Sequence, residues 1–186
     1  MMVLRHRWQI LAVLATLGLG LVTAACGGGS PSSAAPAPQA QQSTAPLIIM
    51  SDMVEGTKNI PADQQKVRSC VLESQYPRNS EVVFRARVYD PKTGDMMDDT
   101  AVASLQVKLA NGQTITMKYG AHPKTPPNEY YWTGSFVIPK DAPTGTMNYS
   151  IVATAKDGRT GTFKPFNVAT SLLTVIDQTF PDATGS

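Results

Sequence analysis

From about Arg68 onward, apolar and polar residues alternate with a period of two. Val82, Phe84, Ala86 and Val88 interleave with Val83, Arg85, Arg87 and Tyr89. Leu105, Val107 and Leu109 interleave with Gln106 and Lys108. Ile115, Met117 and Tyr119 interleave with Thr114, Thr116 and Lys118. Tyr130, Trp132, Gly134, Phe136 and Ile138 fall on one face, with Tyr131 on the other. Met147, Tyr149, Ile151, Ala153 and Ala155 alternate with Asn148, Ser150, Thr154 and Lys156. A strand sends successive side chains to opposite faces, so this is the pattern of strands buried on one side. Turn chemistry separates the runs. Asp90-Pro91-Lys92-Thr93-Gly94 predicts a turn, Asn111-Gly112 and Asp157-Gly158 predict hairpins, and Pro139 to Gly145 a longer loop. Further strands are expected near Thr160 to Phe166 and Ser171 to Ile176. The first is expected at Arg68-Ser69-Cys70-Val71-Leu72. No window carries a capped helical stripe. Seven or eight short strands in about 110 residues predict an all-β fold, a single antiparallel β-sandwich.

The N-terminal part follows a different rule. Arg5, His6 and Arg7 precede an uncharged, mostly apolar run from Ile10 to Val22, and then the small residues Ala24 and Ala25. Basic, apolar, small is the order of a secretory signal peptide. The apolar run is roughly 13 residues, short of the about 20 that span a bilayer. Cys26 follows in Leu21-Val22-Thr23-Ala24-Ala25-Cys26-Gly27-Gly28-Gly29-Ser30. This stretch resembles the lipobox of bacterial lipoproteins, with Thr23 where Leu is usual. The resemblance implies cleavage before Cys26, a lipid on Cys26, and an exported chain anchored to a bacterial membrane on its periplasmic or cell-surface side. Thr23-Ala24-Ala25 also fits ordinary small-x-small cleavage. Cys26 would then be available to pair with Cys70. Gly27 to Pro46 holds Gly, Ser, Ala, Pro and Gln without a charge, the composition of a tether that buries too little to fold.

These readings predict an organisation of signal peptide at 1–25, lipidated Cys26 and tether at 26–50, an ambiguous lead-in at 51–67, the sandwich at 68–177 and a tail at 178–186. Leu47-Ile48-Ile49-Met50 reads as either a short edge strand or a docking segment. The run from Pro143 through Tyr149 and Asp157-Gly158 to Gly161 resembles the late strand pair of bacterial immunoglobulin-like domains. That resemblance implies an immunoglobulin-like sandwich with Tyr149 as a tyrosine corner. It implies little about function.

Charge adds an exclusion. Lys and Arg number 16 against 14 Asp and Glu. Arg5 and Arg7 lie in the expected signal, so the rest of the chain is formally neutral. That argues against nucleic acid as a partner. The chemical inventory is thin. His122, in a Pro-rich loop, is the sole His outside the signal, and no G-x-S-x-G elbow accompanies it. With Cys26 lipidated, Cys70 is the remaining thiol, expected as a small buried hydrophobe in the first strand. Zinc sites need three or four N or S ligands, which these residues do not supply. Asp90, Asp95, Asp98 and Asp99 share one turn region without the spacing of a calcium loop. No catalytic set, metal or cofactor is therefore expected. Candidate contact residues are Arg85, Arg87 and Tyr89 on one outward face, and Tyr131 beside His122. Tyr130 and Trp132 are expected in the core. The expected function is non-enzymatic: a membrane-anchored module that binds or positions an envelope partner, a protein in the first instance. A carbohydrate-binding module using Tyr131 and His122 is the second class. A metal or redox accessory using Cys70 and His122 is the third.

Overall fold

Alternation becomes two antiparallel sheets in the computed structural model, which describes residues 45–68 and 70–182. The expected signal peptide, Cys26 and most of the expected tether lie outside the described residues. The strands are β1 (Ile48–Glu55), β2 (Gln75–Arg78), β3 (Glu81–Tyr89), β4 (Met96–Met97), β5 (Val102–Leu109), β6 (Thr114–Thr116), β7 (Lys118–His122), β8 (Glu129–Val137), β9 (Gly145–Thr146), β10 (Tyr149–Ala155), β11 (Thr160–Phe163) and β12 (Thr174–Thr179). One sheet runs β1-β3-β8-β7, with β4 added on β3; the other runs β11-β10-β5-β6. Lettered in chain order, these are the A-B-E-D and G-F-C-C′ orders of the immunoglobulin sandwich. A small third sheet, β2-β12-β9, includes a parallel pair between β2 and β12.

The inward residues of both main sheets form one core. Phe84, Val107, Leu105, Ile138 and Ile151 are fully buried. Phe84 of β3 meets Tyr149 of β10 across the sandwich at 5.0 Å between ring centroids, and Phe136 on its own sheet at 6.2 Å. Each such side chain contributes about 1.5–3 kcal/mol by leaving water. The turns match their chemistry. Gly112 and Gly158 both take φ of 88°, the left-handed conformation their hairpins require.

One alternating run is divided between the sheets. Thr114–Thr116 pairs with β5, whereas Lys118–His122 pairs with β8. Met117 is the joint, its N–H donating to the Leu105 carbonyl at 2.9 Å. The crossing chain passes close over β8. A Cβ on Gly134 would lie 3.0 Å from Ile115 Cγ2 and 3.3 Å from the Thr116 carbonyl oxygen.

The N-terminal boundary differs from expectation. Of Leu47–Met50, Ile48–Met50 begins an edge strand, and β1 continues through Glu55, antiparallel to β3. It thus takes in the end of the expected tether and part of the lead-in. The expected first strand at 68–72 is instead a return path. A four-residue helix, α1 (Gln65–Arg68), precedes a strap at 70–73 that folds back on β1. Cys70 N–H donates to the Glu55 carbonyl at 2.9 Å, Glu55 N–H to the Val71 carbonyl at 3.0 Å, and Glu73 N–H to the Met53 carbonyl at 3.2 Å. At the other end, Phe180 in the expected tail is buried, and Asn79 Nδ2 donates to its carbonyl at 3.0 Å.

Candidate functional site

The outer face of the β1-β3-β8-β7 sheet gathers most of the candidate contact residues. On β3 the buried residues Phe84, Ala86 and Val88 send Arg85, Arg87 and Tyr89 outward. Trp132, buried on β8, does the same for Tyr131. The pairing of Ala86 with Trp132 then sets Arg87 opposite Tyr131. The Arg87 guanidinium carbon lies 4.2 Å from the Tyr131 ring centroid, and that of Arg85 lies 5.1 Å away. Both are within the range of a cation–π contact.

Two carboxylates complete the cluster. Tyr131 hydroxyl donates to Glu129 Oε2 at 2.6 Å, and Arg87 pairs with the same oxygen. Arg85 Nε donates to Asp52 Oδ1 of β1 at 2.6 Å. The Tyr131 hydroxyl, followed by the Arg87 charge, holds the Glu129 carboxyl below its ordinary range. The bond to Asp52 raises the Arg85 guanidinium above its ordinary range. Each arginine is therefore neutralised within the face, and side chains from β1, β3 and β8 fix one another.

β7 forms the other border. Gly120 pairs with Tyr131, and His122 pairs with Glu129. A Cβ on Gly120 would meet nothing within 4 Å. His122 stands edge-on to Tyr131 at 6.4 Å between centroids, and its Nε2 is 3.4 Å from Thr133 Oγ1. At the β1 border Ile48 and Met50 are 50% and 62% exposed. Tyr89, half-buried, lies between Ile48 and Met96 in register.

Three expectations are corrected. Tyr130 is 47% exposed, not core. The β3–β8 pairing ends at Trp132, and Tyr130 instead stacks on Tyr119 at the rim, 5.6 Å between centroids. Cys70 is exposed and sits in a turn with φ of 62°, outside any strand. Such a φ is uncommon for a non-glycine residue. Tyr149 is not a tyrosine corner. Its hydroxyl is 3.5 Å from the carbonyl of Ser171, well downstream, whereas a corner bonds a few residues upstream. Burial pushes that hydroxyl up to about 12.

Cys70 and His122 are not brought together. Cys70 adjoins β1 and His122 lies on β7, at opposite borders of the sheet. Three inter-strand steps amount to roughly 14 Å. Among the described residues no group of three His, Cys, Asp or Glu side chains is placed to hold a metal. In the acidic turn, Asp90 and Asp98 are engaged by protein groups. Arg159 Nη2 donates to Asp90 Oδ2 at 2.8 Å, and Asp98 accepts from Thr100 N–H at 2.9 Å.

Glu129, Asp52 and Gly120 were not anticipated. Glu129 is two residues before Tyr131 on one strand and so shares its face, a signal the sequence does carry. Asp52 depends on the β1–β3 register, which it does not. No family model matches this chain, and no curated protein matches it.

Proposed function

We propose that the chain is an exported lipoprotein, held to a bacterial membrane through lipid on Cys26, whose immunoglobulin-like sandwich binds or positions a partner at the cell envelope. No enzymatic step is assigned to it. The observation that supports the binding role is the outer β1-β3-β8-β7 face. Tyr131, Arg85 and Arg87 are held there by one another and by Glu129 and Asp52, beside exposed Ile48 and Met50. Tyr, Arg and Met are the residues enriched where proteins make contacts. A preformed cluster also loses little side-chain entropy on binding.

The anchor is supported by the order of basic, apolar and small residues before Cys26. More than one lipid chain gives stable attachment at about 0.8 kcal/mol per buried CH₂. Extraction of the protein from its native membrane, with intact mass and copurification as readouts, tests both parts. The expected mass begins at Cys26 and includes lipid, and the expected partner is lost in Tyr131→Ala and Arg87→Ala. A soluble chain with an unlipidated N-terminus would refute the anchor. Envelope material retained equally by both variants would refute the face.

A further inference from the structure

The strap and β1 separate at Glu73. The last bond between them runs from Glu73 N–H to the Met53 carbonyl at 3.2 Å. Past Glu73 the strap turns away into β2, while the border of β1 at Asp52 is left without it. A cavity of about 410 Å³ opens where they part. Met53 and Leu72 give it apolar walls, and Ser74 and Thr170 add hydroxyls. Tyr149 of β10 reaches it from the core. Tyr149 is only 7% exposed, and among the described residues its hydroxyl meets one partner, the Ser171 carbonyl at 3.5 Å. That distance is beyond the range of a good hydrogen bond. A buried hydroxyl so poorly matched keeps capacity for another partner.

Charge selects the occupant. Two carboxylates line the cavity, and no Lys, Arg or His does. Asp52 is answered by Arg85. Glu73 is half-buried, and among the described residues its carboxylate has neither an ion pair nor a hydrogen bond. Burial, followed by the charge of Glu73, raises the Tyr76 hydroxyl above its ordinary range, so this carboxylate bears on the interior. Half-burying a charge without a partner costs stability, and a bound cation offsets that cost. A metal ion fits poorly. No group of three His, Cys, Asp or Glu side chains among the described residues is placed to hold one, and the space is far larger than an ion. A primary ammonium on an aliphatic stem fits both the charge and the walls. Its three N–H donors match the Glu73 carboxylate, the Tyr149 hydroxyl oxygen and a neighbouring Ser or Thr, while the stem lies along Met53 and Leu72. We infer that this cavity binds the ammonium end of an aliphatic amine, with Glu73 as its counter-ion and Tyr149 as an acceptor. The site does not rest on the binding role of the outer face.

The test uses the full chain in a neutral detergent at low salt. The probes are cadaverine, Nα-acetyl-lysine methylamide, the uncharged analogue pentanediol, and calcium, each titrated by calorimetry. Glu73→Gln removes the charge and keeps the shape. Tyr149→Phe removes the hydroxyl and keeps the ring that meets Phe84 at 5.0 Å. Both variants are expected to melt cooperatively, as the wild type does. The expected result is binding of at least one amine and none of pentanediol. Glu73→Gln should weaken that binding about tenfold or more, and Tyr149→Phe to a lesser degree. Tighter binding of cadaverine identifies the ligand as a free amine, and tighter binding of the lysine derivative as a lysine side chain; both outcomes support the site. Absence of binding by both amines overturns the proposal. So does unchanged amine affinity in folded Glu73→Gln, equal binding of pentanediol, or calcium binding through Glu73 in place of the amines.

Discussion

Gly161 marks the place where the chain first enters the sandwich. A Cβ there would overlap the Leu47 carbonyl oxygen and lie 2.8 Å from the Leu47 Cβ. Leu47 N–H donates to the Thr160 carbonyl at 3.0 Å, and its side chain is buried. Leu47 therefore joins the start of β1 to β11, and the absent side chain at 161 makes the approach possible. Gly161→Ala must displace backbone, which is not the flexible end of a side chain. Overpacking of this kind costs about 1–3 kcal/mol. The urea midpoint of Gly161→Ala is expected to fall accordingly, with the slope of the transition unchanged. An unchanged midpoint would mean that Leu47 does not hold its place against β11 in solution. The candidate face obeys the same logic at single residues. Arg85, Arg87 and Tyr131 were readable because each lies one position from a buried residue: Arg85 after Phe84, Arg87 after Ala86, and Tyr131 before Trp132. Their meeting was not, because the alignment of β3 with β8 pairs residues far apart in sequence.

At the level of elements, alternation identified β3, β5, β8 and β10 because each has one dry face and one wet face. It did not delimit β1, whose last residues Met53, Val54 and Glu55 are all buried. The strap at 70–73 covers the border of β1 there, so a period of two disappears. The same strap explains why Ser69-Cys70-Val71-Leu72 looked like a strand: it pairs with β1, but only over a short bridge at Val54 and Leu72. Its latch is Glu55, fully buried, which accepts from Arg68 Nε at 2.8 Å while Arg68 lies over the Phe180 ring at 5.2 Å. Glu55 Oε1 is buried without a hydrogen-bond partner. Burial raises the Glu55 carboxyl above its ordinary 4.5, outweighing the bond and charge of Arg68. A raised native pKa contributes stability that is complete below the unfolded value and is lost as pH rises through the native one. Glu55→Gln has nothing to titrate at this site. The melting temperature of the wild type minus that of Glu55→Gln is thus expected to be most favourable near pH 4 and to shrink toward pH 7. A difference that grows with pH would show the Arg68 pair to outweigh burial.

For the molecule as a whole, these contacts mark where the described core begins. The core is built from Leu47 onward, and residues 45 and 46 contribute no core side chain. β1 is nevertheless integral. It borders the sheet that carries the candidate face, supplies Asp52 to Arg85, and closes one side of the sandwich against β11. The proposed function needs both properties, a domain that stands independently of its leader and a face braced by the first strand after it. Two truncations distinguish them. A chain beginning at residue 45 is expected to unfold at the midpoint of the full mature chain. A chain beginning at Asp52 loses buried Leu47 together with the pairing of Ile48, Ile49, Met50 and Ser51 to β3. Removing one buried leucine side chain alone costs about 2–5 kcal/mol, a large share of the 5–15 kcal/mol typical of a domain. The shorter chain should therefore melt far lower or fail to fold, and Arg85 and Tyr131 should lose their fixed positions with it. Equal stability of the two truncations would mean that β1 is an ornament of the sheet, and the face would then have to be rebuilt without it.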